Sequence, residues 1–197
     1  MKKITLVAIL VFSIFNSYSQ ENKTTHYYKN NLTLKPFNIN SIGVGVGLQY
    51  ERYLDNTNNF SFVIPFDYSF EVSNANNYGL NNSDNYGINT NPGLRFYFVE
   101  PRKFNWYLGC SFLLGYENAA YTYYDINGNQ INTRATRKSF GSMINAGFKG
   151  TIKDRFTYNL EVGNGIKFID KYDQNTYALY NSSRYLGSIL VGFGYNF

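Results

Sequence analysis

Cysteine, histidine, proline and long apolar runs are all scarce in this chain of 197 residues. The single cysteine, Cys110, excludes an internal disulfide and Cys-based metal sites. The single histidine, His26, leaves little material for histidine-based catalysis. After residue 20 no apolar run approaches the roughly 18–20 residues that a spanning helix needs. With a mean hydropathy of −0.36, a helical membrane protein is excluded. That test does not reach a β-barrel, in which only alternate residues face lipid. Formal charge is +5 and the isoelectric point about 9.1, but no basic stripe or RNA-binding motif accompanies them, so nucleic acid is not an expected partner.

What the chain does have is aromatic residues, 20 Tyr and 17 Phe against only 4 Pro. Aromatic side chains pack well on a pleated surface and favour strands. The N-terminus reads as a signal peptide over residues 1–19: Lys2 and Lys3, an apolar core at 4–15, and Ser17-Tyr18-Ser19 before the cut. Cleavage after Ser19 removes two lysines, lowers the formal charge to +3 and leaves Gln20 first. A retained anchor would need a longer apolar core. The expectation is an exported chain with a short periplasmic tail at 20–29.

From residue 30 onward, segments of alternating polarity are separated by turn-rich stretches, the pattern of strands with two unlike faces. Tyr185, Gly187, Ile189, Val191, Phe193, Tyr195 and Phe197 form one row. Another runs Trp106, Leu108, Cys110, Phe112, Leu114 and Tyr116, and a third Phe60, Phe62, Ile64, Phe66, Tyr68 and Phe70. Eight strands are predicted, at 30–37, 42–54, 60–71, 87–99, 104–118, 138–151, 155–168 and 184–197. Asn164 interrupts an outward row and predicts a bulge beside Gly163 and Gly165. Short polar connections alternate with long ones at 73–86, 119–137 and 169–183. This suits periplasmic turns at one end and extracellular loops at the other.

The apolar rows are too bulky to fill an eight-stranded interior, whereas the opposite glycine-rich rows fit it. Tyr185 to Phe197 is twelve steps, about 40 Å of strand, or about 28 Å along the membrane normal at a tilt near 45°. Charges on the outward rows fall only near strand ends, at Arg52 and Lys138. The expected fold is an all-β, eight-stranded, antiparallel up-and-down transmembrane barrel over residues 30–197.

The C-terminal pattern Ile189-x-Val191-x-Phe193-x-Tyr195-x-Phe197 resembles the terminal signal of outer-membrane proteins, and the mature chain resembles small OmpA/OmpX-like barrels. The segment Gly45-Val46-Gly47-Leu48-Gln49-Tyr50-Glu51-Arg52 is similar to early strands of uncharacterised families of that class. The resemblance implies an outer-membrane location in a Gram-negative bacterium. It also implies contact with outer-membrane lipid and lipopolysaccharide, and reading of the terminal strand by the barrel assembly machinery.

Candidate sites follow from the faces. Glu51, Asp67, Glu71, Glu117 and Glu161 oppose Arg95, Lys149 and Lys167, with Lys35 a further base, as a lumen charge network. Buried charges must be paired or hydrated, so the expectation is a salt-bridged plug, with a narrow conducting path as the alternative. Enzymes of this barrel class that modify lipids use a His with Ser or Asp. His26, predicted in the tail with no nucleophile beside it, does not supply that set, so no catalytic residue is assigned and a lipid-modifying enzyme stays the second alternative. Tyr78, Tyr86, Tyr121, Tyr123, Tyr124, Tyr172, Tyr177 and Tyr180 cluster in the predicted loops. They suit an interfacial girdle or a recognition surface for an extracellular ligand or host surface. Asp125-Ile126-Asn127-Gly128-Asn129 resembles the start of a calcium loop but lacks its terminal Glu, and reads as an Asn-Gly hairpin tip. No cofactor or metal is expected. The role read from these features is structural or surface-interacting, not enzymatic.

Overall fold

The structure is a computed structural model that describes residues 28–40, 43–55, 58–70, 86–98, 104–124, 127–172 and 185–197. The leader at 1–19, most of the tail with His26, and Glu71, Tyr78, Tyr177 and Tyr180 lie outside the described residues. In chain order the strand segments are β1 (Asn30–Ile39), β2 (Val44–Tyr53), β3 (Phe60–Phe70), β4 (Tyr86–Thr90), β5 (Gly93–Tyr97), β6 (Phe104–Tyr124), β7 (Gln130–Ile152), β8 (Phe156–Tyr172) and β9 (Tyr185–Asn196).

Segments β4 and β5 are two pieces of one stave, since both pair with β3 on one side and β6 on the other. The break falls at Asn91-Pro92, where proline has no N–H for the ladder. Eight staves result, each antiparallel to its neighbours. The sheet closes because β1 pairs with both β2 and β9. At the seam Asn30 and Phe197 exchange backbone hydrogen bonds of 3.1 and 2.9 Å. Closure leaves no open edge, the solution an up-and-down barrel offers.

Burial follows the pleat. In β3 the residues Ser61, Val63, Pro65, Asp67 and Ser69 are buried, while Phe60, Ile64, Phe66, Tyr68 and Phe70 are exposed. The same inversion holds in β1, where Asn31, Thr33 and Lys35 face in and Leu32 and Leu34 face out. A register shift between Lys35 and Asn38 then absorbs the extra residue at Pro36-Phe37, so that Asn38 still faces inward and the strand continues to Ile39, two residues past its predicted end. The outer face is knitted by cross-strand aromatic contacts, Phe60 with Phe96 at 4.9 Å and Phe104 with Phe148 at 5.0 Å.

Three sequence expectations need correction. The connection predicted at 119–137 is largely ladder: β6 and β7 stay paired out to Tyr124 and Gln130, with Gly128 in the turn at 127–129 among the described residues. Gly128 has φ of 81°, a left-handed conformation that suits glycine at a hairpin tip. The predicted bulge at Asn164 is absent, because Asn164 keeps regular register with Ile144 and Gly187. The irregularity lies at Phe168 instead, between the pairs Gly141 with Lys167 and Phe140 with Ile169. As a result β8 runs on to Tyr172, beyond its predicted end.

Candidate functional site

Strands β2, β5, β7 and β8 bring the lumen charges together in the half of the barrel nearest the chain termini. Glu51, with no exposed side-chain surface, is the hub. It takes a hydrogen bond from Lys149 Nζ at 2.7 Å and lies 3.6 Å from Arg95 Nη1. The hydroxyls of Ser61 and Tyr97 each donate to its Oε1 at 2.6 Å. Arg95 also pairs with Glu161, donates to Gln49 Oε1 at 3.1 Å, and lies over the Tyr107 ring at 4.5 Å. Tyr107 OH lies 2.7 Å from Glu161 and 2.9 Å from Asn159 Oδ1. Lys149 Nζ is 3.1 Å from Tyr53 OH. A second buried pair, Lys35 with Asp67, packs beside Gly47, where any Cβ would strike the Asp67 carboxylate.

The electrostatics follow from burial. Two carboxylates and two cations share a water-poor interior, which is tolerable because each makes both an ion pair and hydrogen bonds. Small residues make the room: a Cβ on Gly147 would stand 2.5 Å from the Tyr107 hydroxyl. Nearer the loop end an apolar cluster of Leu113, Met143 and Leu186 is buried in the lumen. Beyond it stands a half-buried cluster in which Arg137 bridges Glu117 at 3.1 Å and Asp170 at 2.5 and 2.6 Å, with Lys167 3.9 Å from Asp170.

Of the residues singled out in the sequence, Glu51, Asp67, Arg95, Lys149, Glu161 and Lys167 are all buried and inward-facing, and Glu117 is half-buried. They do not form one network: Glu51, Arg95, Lys149 and Glu161 are joined, Asp67 is paired with Lys35, and Glu117 and Lys167 belong to the loop-end cluster. Sequence reasoning missed Tyr53, Tyr97 and Tyr107, although alternation places each on the inward side of its strand. It also left Arg137 and Asp170 in loops.

Ile189, Phe193, Tyr195 and Phe197 are exposed on the outward face of the closing strand, with Val191 half-exposed among them. Tyr86 opens β4 on the outward face, stacked on Tyr68 at 6.1 Å. Tyr121, Tyr123, Tyr124 and Tyr172 stand in the loop-end extensions of β6 and β8. Cys110 is exposed on the outward row of β6. Among the described residues no group of three or more His, Cys, Asp or Glu is placed to hold a metal.

No protein-family model matches the chain, and no curated protein matches it in sequence. Solved structures do match in fold. The N-terminal β-barrel domain of Pseudomonas aeruginosa OprF aligns with a TM-score of 0.55 at 12% identity, covering 86% of this chain and 98% of that one. Ail, the attachment invasion locus protein of Yersinia pestis, aligns at 0.50 and 11% identity over 86% and 99%. A major outer membrane protein from Thermus thermophilus aligns at 0.55 and 12% identity over 87% and 100%. At such identities the likeness is one of architecture, and the chain has the fold of small eight-stranded outer-membrane barrels.

Proposed function

We propose that the chain is an integral barrel of a bacterial outer membrane, exported by a cleaved leader, with a plugged lumen and a structural or surface-interacting role rather than a catalytic one. The observation that carries this reading is the inverted polarity. Lys35, Glu51, Arg95 and Lys149 are buried, while Leu34, Phe66, Leu108, Phe112, Ile144 and Phe193 are exposed. A water-soluble barrel would reverse those two lists, because apolar surface leaves water at a gain of about 25 cal/mol per Å². In lipid the outward rows are solvated, and closure of β1 onto β9 leaves no open row of backbone groups facing the acyl chains.

The plug reading rests on the density of side chains around Glu51 and Arg95 in an interior just wide enough to be filled. The outward row from Ile189 to Phe197 is the segment proposed for recognition by the assembly machinery. The long loops, with Tyr78, Tyr177 and Tyr180, are proposed as the surface offered to an extracellular ligand or host. The refolded chain should migrate differently in SDS gels before and after heating, and give no single-channel steps in a planar bilayer. Solubility without detergent would overturn the membrane assignment, reproducible conductance steps the plug. A changed lipid A mass spectrum on deleting the gene would overturn the non-enzymatic reading.

A further inference from the structure

At the end of the barrel that carries the chain termini, Arg155 stands in the short turn between β7 and β8 with its side chain exposed. It lies against two tyrosines of the closing seam. Its Nε donates to the Tyr28 hydroxyl at 2.9 Å and its Nη1 to the Tyr195 hydroxyl at 2.7 Å. The guanidinium carbon is 5.4 and 5.9 Å from the two ring centroids. We propose that Arg155, Tyr28 and Tyr195 form a binding site for the phosphodiester of a phospholipid in the periplasmic leaflet, whose acyl chains lie along the outward rows of β8 and β9.

Three observations support it. First, donors are left over. A guanidinium has five N–H groups, of which two are used here. Each phenol oxygen accepts from Arg155, so its own O–H remains to donate, and neither hydroxyl donates to another described residue. Arg155 has no ion pair among the described residues, not even with Asp154 beside it in the turn. Spare donors on three side chains around one unpaired positive charge suit an anion with several acceptor oxygens. Second, the arrangement is built. Asn196 N donates to the Arg155 carbonyl at 2.8 Å and Asn196 Nδ2 to that of Asp154 at 3.3 Å, which ties the turn to the closing strand. Lys153 and Asp154 both hold left-handed conformations, with φ of 50° and 62°, at a cost that glycine would not incur. An arginine that only meets water needs neither this turn nor two fixed partners. Third, the height is that of a headgroup. Phe156 and Phe197 are exposed at the ends of their outward rows, and Tyr195 packs edge-on against Phe156 at 5.5 Å. Tyrosines with an apolar body and a polar tip mark the membrane–water interface, where the anion the membrane supplies is the phosphodiester. A soluble anion would make no use of the exposed rings beside Arg155, whereas a phospholipid uses both.

The proposal rests on the barrel reading above, and heat-modifiable gel migration tests that reading separately for each variant. Native mass spectrometry of the full chain, refolded in detergent with added lipid, reads the site directly. One molecule of phosphatidylglycerol or phosphatidylethanolamine should stay bound, and a diacylglycerol, which lacks the phosphate, should not. Arg155→Gln should weaken retention about tenfold, the change expected for loss of a hydrogen bond to a charged group. Lys153→Gln removes the same charge from the same turn without touching either tyrosine, and should leave retention unchanged. Tyr28→Phe combined with Tyr195→Phe keeps both rings and removes both hydroxyls; it should also weaken retention, and it serves as the test should Arg155→Gln fail to fold. Unchanged retention in the folded variants would overturn the proposal. So would an equal loss in Lys153→Gln, which would mean diffuse attraction by the rim, or equal retention of the diacylglycerol, which would mean an apolar contact only. Displacement of the lipid by glycerol 3-phosphate at equal concentration would make the site one for a free anion and overturn the assignment to lipid.

Discussion

Replacing Lys149 by Met tests whether the ionic plug stabilises the fold. In the structure Lys149 Nζ is 2.7 Å from Glu51 and Arg95 Nη1 is 3.6 Å away. At an effective dielectric near 20 these separations correspond to about 6 and about 5 kcal/mol of attraction, most of it offset by desolvation of the ions. Lys149→Met removes the stronger partner and leaves a fully buried carboxylate with Arg95, Ser61 and Tyr97. A loss of about 3–5 kcal/mol is expected for breaking a buried pair. Glu51→Gln in the same chain removes the orphaned charge while keeping the side-chain shape. The double variant should recover part of the loss, with a coupling of about 1–3 kcal/mol. The assay is reversible urea unfolding in lipid vesicles, followed by fluorescence of Trp106, the only tryptophan, which stands on the outward row and loses lipid contact on unfolding. Additive effects of the two substitutions, or a Lys149→Met cost below about 1 kcal/mol, would refute the view that this pair is energetically joined in a dry interior.

Other consequences concern the two faces. Phe112→Arg and Ile144→Lys place charges mid-row on the outward face and should each cost about 2–4 kcal/mol in vesicles, whereas Lys138→Ala, on the exposed row nearer the loop end, should change stability by less than about 1 kcal/mol; unfolding titrations compare them. Gly147→Ala brings a methyl within 2.6 Å of the Tyr107 ring and 2.5 Å of the Leu160 carbonyl, so it should destabilise by about 1–3 kcal/mol in the same assay, and no measurable loss would mean that the interior is looser than these contacts imply. Cys110, exposed on the outward row, should resist a charged maleimide in folded vesicles and react after denaturation, as gel shift reports; rapid labelling of the folded protein would put that row in water.

Much of the fold was legible because one physical rule governs the membrane portion. Where lipid lies on one side and a narrow interior on the other, each residue step alternates between two solvents, and Phe60 to Phe70 or Tyr185 to Phe197 record it directly. The rule fails where that contrast ends. Beyond Asn118 and Arg137 both faces of the β6–β7 hairpin are polar or mixed, so the sequence showed a loop where the ladder continues. It also fails wherever one residue is inserted. The bulge at Phe168 changes the phase of β8, and a reader counting by twos from Ile166 places Asp170 on the lipid side. The structure instead turns it inward to meet Arg137.

The plug was legible to a different degree. Alternation decides which side of a strand a residue takes, so Glu51, Arg95, Lys149 and Glu161 could be placed in the lumen one at a time. Partners depend on the stagger between staves, which no local pattern encodes: Glu51 and Lys149 stand 98 residues apart in the chain, and Arg95 and Glu161 66 apart. The tyrosines show the consequence most clearly. Tyr53, Tyr97 and Tyr107 could be assigned inward by parity, yet an aromatic residue in a barrel sequence suggests the lipid interface. Their hydroxyls are used instead inside the barrel, by Lys149, Glu51 and Glu161, while their rings fill the space around the ions. A salt bridge between side chains that reach across the lumen therefore needs these rings as packing, and loss of a ring should loosen the ion pairs as much as loss of the hydroxyl. Tyr97→Phe keeps the ring and removes one donor to Glu51, for an expected cost of about 1–2 kcal/mol, whereas Tyr97→Ala should cost about 3–5 kcal/mol by also opening a cavity. Equal costs for the two variants in vesicle unfolding would mean that the ring contributes nothing to the plug.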